Sequence, residues 1–314
     1  MKKYSIGIDL GGTKILAGIV ETQTGEVVAH AKKRTKVQAR KGSDILIKRV
    51  IKTIEAALEE SQIPITEIEK IGIGVPGQVD RENGILISAP NLYAYDLNFK
   101  KVLGEHFGID VIVSNDVDVA TLGELKFGAG VGYNNAVCVF VGTGVGAGIV
   151  INGEVWTGAT GTAGEIGHIV VASGGRPCAC GASGCLEAYA SRTAIEKKIL
   201  GRLKKGHTSS IEVGEDGIIR SRSIKEAVDN QDELVLAALD EAAEYLSCGL
   251  ASVVNFFNPE VIILGGGLIE AVDYFFNKTV KKTKAKALPV PAQKIEIIKS
   301  KLGDFSGIIG AAML

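Results

Sequence analysis

No stretch of the 314-residue sequence is apolar for long enough to be a clear bilayer span. The nearest candidate, residues 134–151, carries glycine at positions 142, 144, 146 and 148 and only touches the lower length limit. Lys2 and Lys3 do not lead into a secretion signal, because Asp9 and Lys14 interrupt the apolar core such a signal needs. The expectation is a cytoplasmic protein without a membrane partner. An excess of charge of one sign is also missing: 35 Lys and Arg face 36 Asp and Glu. That balance gives no electrostatic footprint for nucleic acid. The basic runs at 32–36 and 278–286 read as solvated faces. Cysteine is scarce, with five in all, and a reducing compartment argues against a disulfide framework. Cys138 and Cys248 fall in apolar strand and helix patterns and read as buried packing residues.

The other three cysteines are clustered. Cys178, Cys180 and Cys185 follow His168 within 18 residues, enough to close a tetrahedral Cys₃His zinc site. Four protein ligands leave no open position for an activated water, so the expected zinc is structural. Glu165 and Glu187 flank the cluster. A metal-held loop presenting carboxylates suits a ligand rich in hydroxyl groups.

Glycine is the compositional outlier at 40 of 314 residues. Without low-complexity repeats, such an excess points to tight turns where backbone amides approach a ligand. Strand patterns occupy 4–9, 15–20 and 27–31, followed by a helical pattern over 43–61 with Ser43 as a candidate N-cap and Ile47, Val50, Ile51, Ile54 and Leu58 on one face. A helix over 232–257 stops at Asn258-Pro259, and the small residues of 307–314 suit a closely packed helix. Residues 137–155 echo residues 6–27: AGIV recurs at 17–20 and 147–150, and GEV at 25–27 and 153–155. Length and repetition together predict a duplicated, two-domain α/β fold with a cleft between its halves.

The echoed segments carry the phosphate candidates. Asp9 ends a strand and leads into Gly11-Gly12-Thr13-Lys14, where backbone amides, a hydroxyl and an ammonium can face an anion. Asp9 is placed to hold a hydrated Mg²⁺. Gly7 and Gly12 have Walker A spacing, but Thr-Lys replaces Lys-Ser/Thr and a strand follows, which excludes a P-loop. The second turn is Gly142-Thr143-Gly144-Val145-Gly146, and Gly265-Gly266-Gly267 ends a buried strand as the third. Three such turns fit one nucleoside triphosphate.

With these motifs the chain resembles, from end to end, the ROK family of repressors, open reading frames and sugar kinases, within the actin-like, ribonuclease-H-like ATPases. The segments 165–168 and 178–187 carry the most specific part of the likeness. The resemblance implies a small domain over 1–117 completed by a C-terminal helix at 303–314, and a large domain over 118–302 holding the zinc loop. It also implies a homodimer or homotetramer. The activity implied is that of an ATP-dependent glucokinase. Asp116 would take the proton from the sugar 6-hydroxyl, and Asn115, Glu165, His168 and Glu187 would bond the other hydroxyls beside the Pro76-Gly77 turn. The chain departs from the family pattern at Asp118, an extra acid after Asn115-Asp116. Asp118 reads as a first-turn acid favoured by the helix dipole, and the alternative role of Asp116 is a helix N-cap. N-acetylglucosamine, N-acetylmannosamine, mannose and fructose stand beside glucose as acceptors, since the motif residues overlap. The lack of an added basic groove favours ATP over polyphosphate as donor. A sugar-responsive transcription regulator is the alternative from another class. It is disfavoured because the first phosphate turn begins within ten residues of Met1 and both turns and base are kept.

Overall fold

The structure, a computed structural model, describes residues 2–35 and 42–314. Lys36 of the basic run lies outside the described residues, as does the side chain of the cap candidate Ser43.

Strands β1 (Tyr4–Leu10), β2 (Lys14–Glu21) and β3 (Val27–Arg34) form an antiparallel meander. Helix α1 (Gly42–Ser61) follows, then β4 (Ile68–Val75), the small antiparallel sheet β5 (Gln78–Asp80), β6 (Ile85–Ala89) and β7 (Ala94–Asn98), and helix α2 (Phe99–Phe107). Strand β8 (Asp110–Asn115) runs directly into α3 (Asp116–Phe127). The main sheet has the order β3-β2-β1-β4-β8, with β4 and β8 parallel to β1. Its central strands are apolar on both faces, as parallel strands covered on both sides are. Helix α1 covers one face with Leu46, Val50, Ile54 and Ala57. Ile47, Ile51 and Leu58 sit at the edge of that face, so the helix is rotated slightly from the expected stripe.

The pattern repeats. Strands β9 (Ala136–Val141), β10 (Val145–Ile151) and β11 (Glu154–Trp156) precede helices α4 (Glu187–Ala190), α5 (Arg192–Lys204), α6 (Ser221–Asp229) and α7 (Glu233–Phe257). Strand β12 (Val261–Gly265), helices α8 (Gly267–Ala271), α9 (Asp273–Lys286) and α10 (Pro289–Lys294), strand β13 (Glu296–Lys299) and helix α11 (Ser306–Ala312) complete the chain. The second sheet has the order β11-β10-β9-β12-β13, the same arrangement as the first. The duplication read from the AGIV and GEV echoes is therefore structural. Helix α7 starts at the Asp232 cap, which accepts the Val235 N–H at 3.0 Å, and ends at Asn258 with φ 50°.

The residues pack as two compact units. One comprises Met1–Gly132, Val155–Ala163 and Asp304–Leu314; the other comprises Tyr133–Glu154 and Gly164–Gly303. The first unit thus includes α3 and runs past residue 117. Helix α11 lies on β1, β4 and α3 at backbone contact. A Cβ on Gly7 would overlap the Ile308 carbonyl, one on Gly72 the Ala311 carbonyl, and one on Gly310 the Val119 carbonyl. Gly7 and Gly72 are register partners, which makes a smooth two-strand seat for the helix.

Two sequence readings change. Cys138 is buried as expected, but Cys248 is only partly so, because it lies beside the buried stripe of α7. The run at 278–286 is more than a solvated face. Lys278 pairs with Asp240 at 3.1 Å, while Lys282 and Lys286 pair with Glu244 at 2.6 and 2.7 Å, fastening α9 to α7.

Candidate active site and metal centre

In the first unit, the β1–β2 turn is closed by the Gly11 N–H donating to the Lys14 carbonyl at 2.9 Å. Thr35, fully buried just after β3, braces it: its hydroxyl donates to the Gly11 carbonyl at 2.7 Å and its N–H to the Thr13 carbonyl at 3.0 Å. The N–H groups of Gly12 and Thr13 have no partner among the described residues. A Cβ on Gly12 would meet nothing within 4 Å, so packing within the chain does not require glycine there. Lys14, expected to face phosphate, is paired with Asp304 at 2.6 Å, and Asp304 also reaches Lys32 at 3.5 Å.

Asp9 and Asp116 belong to one acidic corner of this unit. Burial pushes the Asp9 carboxyl up to about 6, against the pull of Lys14. Burial first, and the charge of Asp9 second, push Asp116 up to about 7, although part of its surface stays accessible. The N-cap of α3 is Asn115: its Oδ1 accepts from Val117 at 2.9 Å and from Asp118 at 3.4 Å. Its Nδ2 donates to the Gly77 carbonyl at 3.3 Å, which ties the Pro76-Gly77 turn to the start of α3. Asp116 occupies the first helical position and accepts the adjacent Val117 N–H at 2.9 Å.

Asp118 is not simply a dipole-favoured surface acid. It is 8% exposed and ion-paired to Arg81, whose guanidinium also reaches the Gly161 carbonyl at 3.4 Å. Sequence reasoning missed Arg81, Thr35 and Asp304. Their partners lie 37, 24 and 290 residues away, beyond any local pattern.

In the second unit, the β9–β10 turn repeats the design. The Gly142 N–H donates to the Gly144 carbonyl at 2.9 Å, and a Cβ on Gly142 would meet nothing within 4 Å. The N–H groups of Thr143 and Gly144 have no partner among the described residues. The start of α5 holds the turn from behind: Arg192 N–H donates to the Gly142 carbonyl at 2.9 Å and the Thr193 hydroxyl to the Thr143 carbonyl at 2.8 Å. Glu187 Oε2 accepts the Val145 N–H at 3.0 Å. Gly146 lies within β10, opposite Phe140. In the third turn, Gly265 and Gly266 also lie against Phe140 and Val141 of β9, so packing by itself demands two of its three glycines.

The four candidate metal ligands are brought together. The ligand atoms of His168, Cys178, Cys180 and Cys185 all lie within 4.8 Å of one another. Cys180 Sγ and Cys185 Sγ are 3.7 Å apart, and Cys178 Sγ is 3.7 Å from His168 Nδ1. Zn–S bonds of about 2.3 Å put tetrahedral sulfurs about 3.8 Å apart, so the donor set fits Zn²⁺. Burial pushes the Cys185 thiol up to about 12, so loading a cation must expel a proton there. The other ring nitrogen, His168 Nε2, faces Glu165 Oε2 at 3.8 Å. The loop is fastened to α7 by Arg176, which bonds Glu241 at 2.9 Å and stacks on Tyr189, itself stacked on Tyr245.

The sequence pattern of the ROK family matches residues 5–314. Glucokinase of Halalkalibacterium halodurans is 34% identical over 99% of this chain and 94% of that protein. The crystal structure of a ROK family glucokinase from Streptomyces griseus, in complex with glucose and AMPPNP, superposes with a TM-score of 0.87. It is 30% identical and covers 98% of both chains. Xylose repressor of Bacillus spizizenii is 29% identical over 99% of this chain and 76% of its own length.

Proposed function

The chain belongs to the ROK family, and on that premise we propose that it is an ATP-dependent kinase phosphorylating the 6-hydroxyl of glucose. The observation that carries the reading is Asp116: a carboxylate at the start of α3, spared the capping role by Asn115 and pushed up to about 7. A general base with a pKa near the working pH combines sufficient ionisation with sufficient proton affinity. Asp116 takes the proton of the 6-hydroxyl as that oxygen bonds to the γ-phosphorus; the bond to the β-phosphate oxygen breaks and ADP leaves. Phosphoryl transfer asks the protein mainly for in-line placement and charge neutralisation.

Asn115, Glu165, His168 and Glu187 hydrogen-bond the remaining sugar hydroxyls, and Pro76 and Gly77 shape the wall beside them. The amides of Gly12 and Thr13, in the turn that Gly11 closes, with Lys14 after it leaves Asp304, take one part of the triphosphate. Gly142, Thr143, Gly144 and Gly146 take another, and Gly265, Gly266 and Gly267 the nucleoside side. Mg²⁺, bound with the nucleotide near Asp9, supplies neutralisation of phosphate charge. Zn²⁺ on His168, Cys178, Cys180 and Cys185 is structural; His168 uses Nδ1 for the metal and offers Nε2 to the sugar. The protein works in the cytoplasm as a homodimer or homotetramer.

ADP release from Mg·ATP, with glucose and N-acetylglucosamine in parallel, tests the reading. Glucose-dependent turnover is expected. Preference for the acetylated sugar would keep the chemistry and move the substrate; no turnover with either, in zinc-loaded protein, would overturn the glucokinase reading and point to another acceptor or donor, or to a sensor.

A further inference from the structure

Glu187 stands two residues after the cluster cysteine Cys185, at the first position of α4. Its Oε2 holds the Val145 N–H at the end of the β9–β10 turn, and a Cβ on Gly144 would collide with the same oxygen. Its Oε1 has no hydrogen-bond partner among the described residues. The carbonyls of Gly142 and Thr143 are fixed by α5 and that of Gly144 by the turn itself. The Val145 end of the turn is different: its amide depends on one half-buried carboxylate. The other arm of the metal loop touches the same strand. Ala147 N–H donates to the Gly164 carbonyl at 3.0 Å, and Gly167 is so close to Val145 that a side chain would overlap its carbonyl. Both arms of the metal loop therefore bear on the strand that begins at the phosphate turn.

We propose that Glu187 couples the two substrates: Oε2 sets the Val145 end of the turn that takes nucleotide phosphate, while Oε1 takes a sugar hydroxyl. This rests on the kinase reading above. With one oxygen anchored, the carboxylate still rotates about its side-chain bonds. A sugar hydroxyl on the second oxygen removes that freedom, and the nucleotide then meets a turn already ordered. Toward the sugar Glu187 is a contact; toward the nucleotide it is a positioning residue acting through Val145 and Gly144.

The test is the affinity of zinc-loaded protein for Mg·AMPPNP by titration calorimetry, without glucose and at saturating glucose. Glucose is expected to tighten AMPPNP binding by about 5-fold or more, and AMPPNP to tighten glucose binding by the same factor. Glu187→Gln keeps shape but offers a single acceptor oxygen, so the coupling factor should fall to within about 2-fold of none, with zinc content unchanged. Gly144→Ala, whose methyl displaces the carboxylate, should lose the coupling and still bind glucose alone. Wild-type coupling in Glu187→Gln would overturn the proposal. Independent binding of glucose and AMPPNP by the wild type would also overturn it and leave the kinase reading standing. Binding of neither would remove the kinase reading and the proposal with it.

Discussion

Asn115 caps helix α3 in place of Asp116, its Oδ1 accepting the Val117 N–H at 2.9 Å while its Nδ2 donates to Gly77 at 3.3 Å. Two adjacent polar residues thereby divide the work. Asn115 fixes the helix start, and Asp116 is left without the capping role.

Replacing Asp116 by alanine should therefore preserve the fold and the zinc content but lower turnover by about 10²–10⁴-fold, the range for a general base. Steady-state ADP release, with circular dichroism and metal analysis, checks this. Near-normal turnover would remove Asp116 from the chemistry.

The same carboxyl predicts two pH dependences. As the proposed base it must be ionised, so kcat should fall as pH drops below about 7. For stability, the folded protein keeps the proton more tightly than the unfolded chain, from the ordinary value of 3.8 up to about 7. The stabilisation is complete below 3.8 and is lost as pH rises through about 7. Asp116→Asn, which does not titrate, should exceed wild type in Tm by more at pH 8 than at pH 4. An equal difference at both values would contradict the buried, raised carboxyl.

Cys180→Ser should release the metal and weaken glucose and AMPPNP binding together, because both arms of the loop bear on β10. Metal analysis and calorimetry on the same preparation decide it. Unchanged glucose affinity in zinc-free protein would break the link between loop and site.

Gly310→Ala places a methyl on the Val119 carbonyl, with no flexible side chain to yield. A loss of about 3 kcal/mol is expected, at the upper end for overpacking. Urea unfolding measures it, and a loss within error of zero would mean that α11 is not seated at backbone contact.

Much of this was legible because it is local. The four candidate zinc ligands fall within 18 residues, and the repeated AGIV and GEV segments announce the paired sheets. The glycine excess is harder to assign from sequence. Gly12 and Gly142 are open to a ligand, yet Gly7, Gly72 and Gly310 serve helix α11, and Gly265 and Gly266 serve β9. A glycine needed for a ligand and one needed for a neighbouring backbone are identical in sequence; only the contact distinguishes them. The turn offers Lys14 to phosphate, but its partner Asp304, 290 residues away, leaves no mark in that local pattern. Asp118 gave no sign of Arg81 for the same reason.

The seat of α11 also sets an order of assembly on the ribosome. Strands β1 and β4 emerge early, but residues 306–312, which cover them, are made after the whole of the second unit. At about 5–20 residues per second, the interval between residues 132 and 306 lasts roughly 10–35 s. Throughout that time the first sheet has no helix on the Gly7–Gly72 track. The first unit is thus completed only after the second has been made, and the nascent chain exposes the α11 face of the first sheet until residues 306–312 have followed.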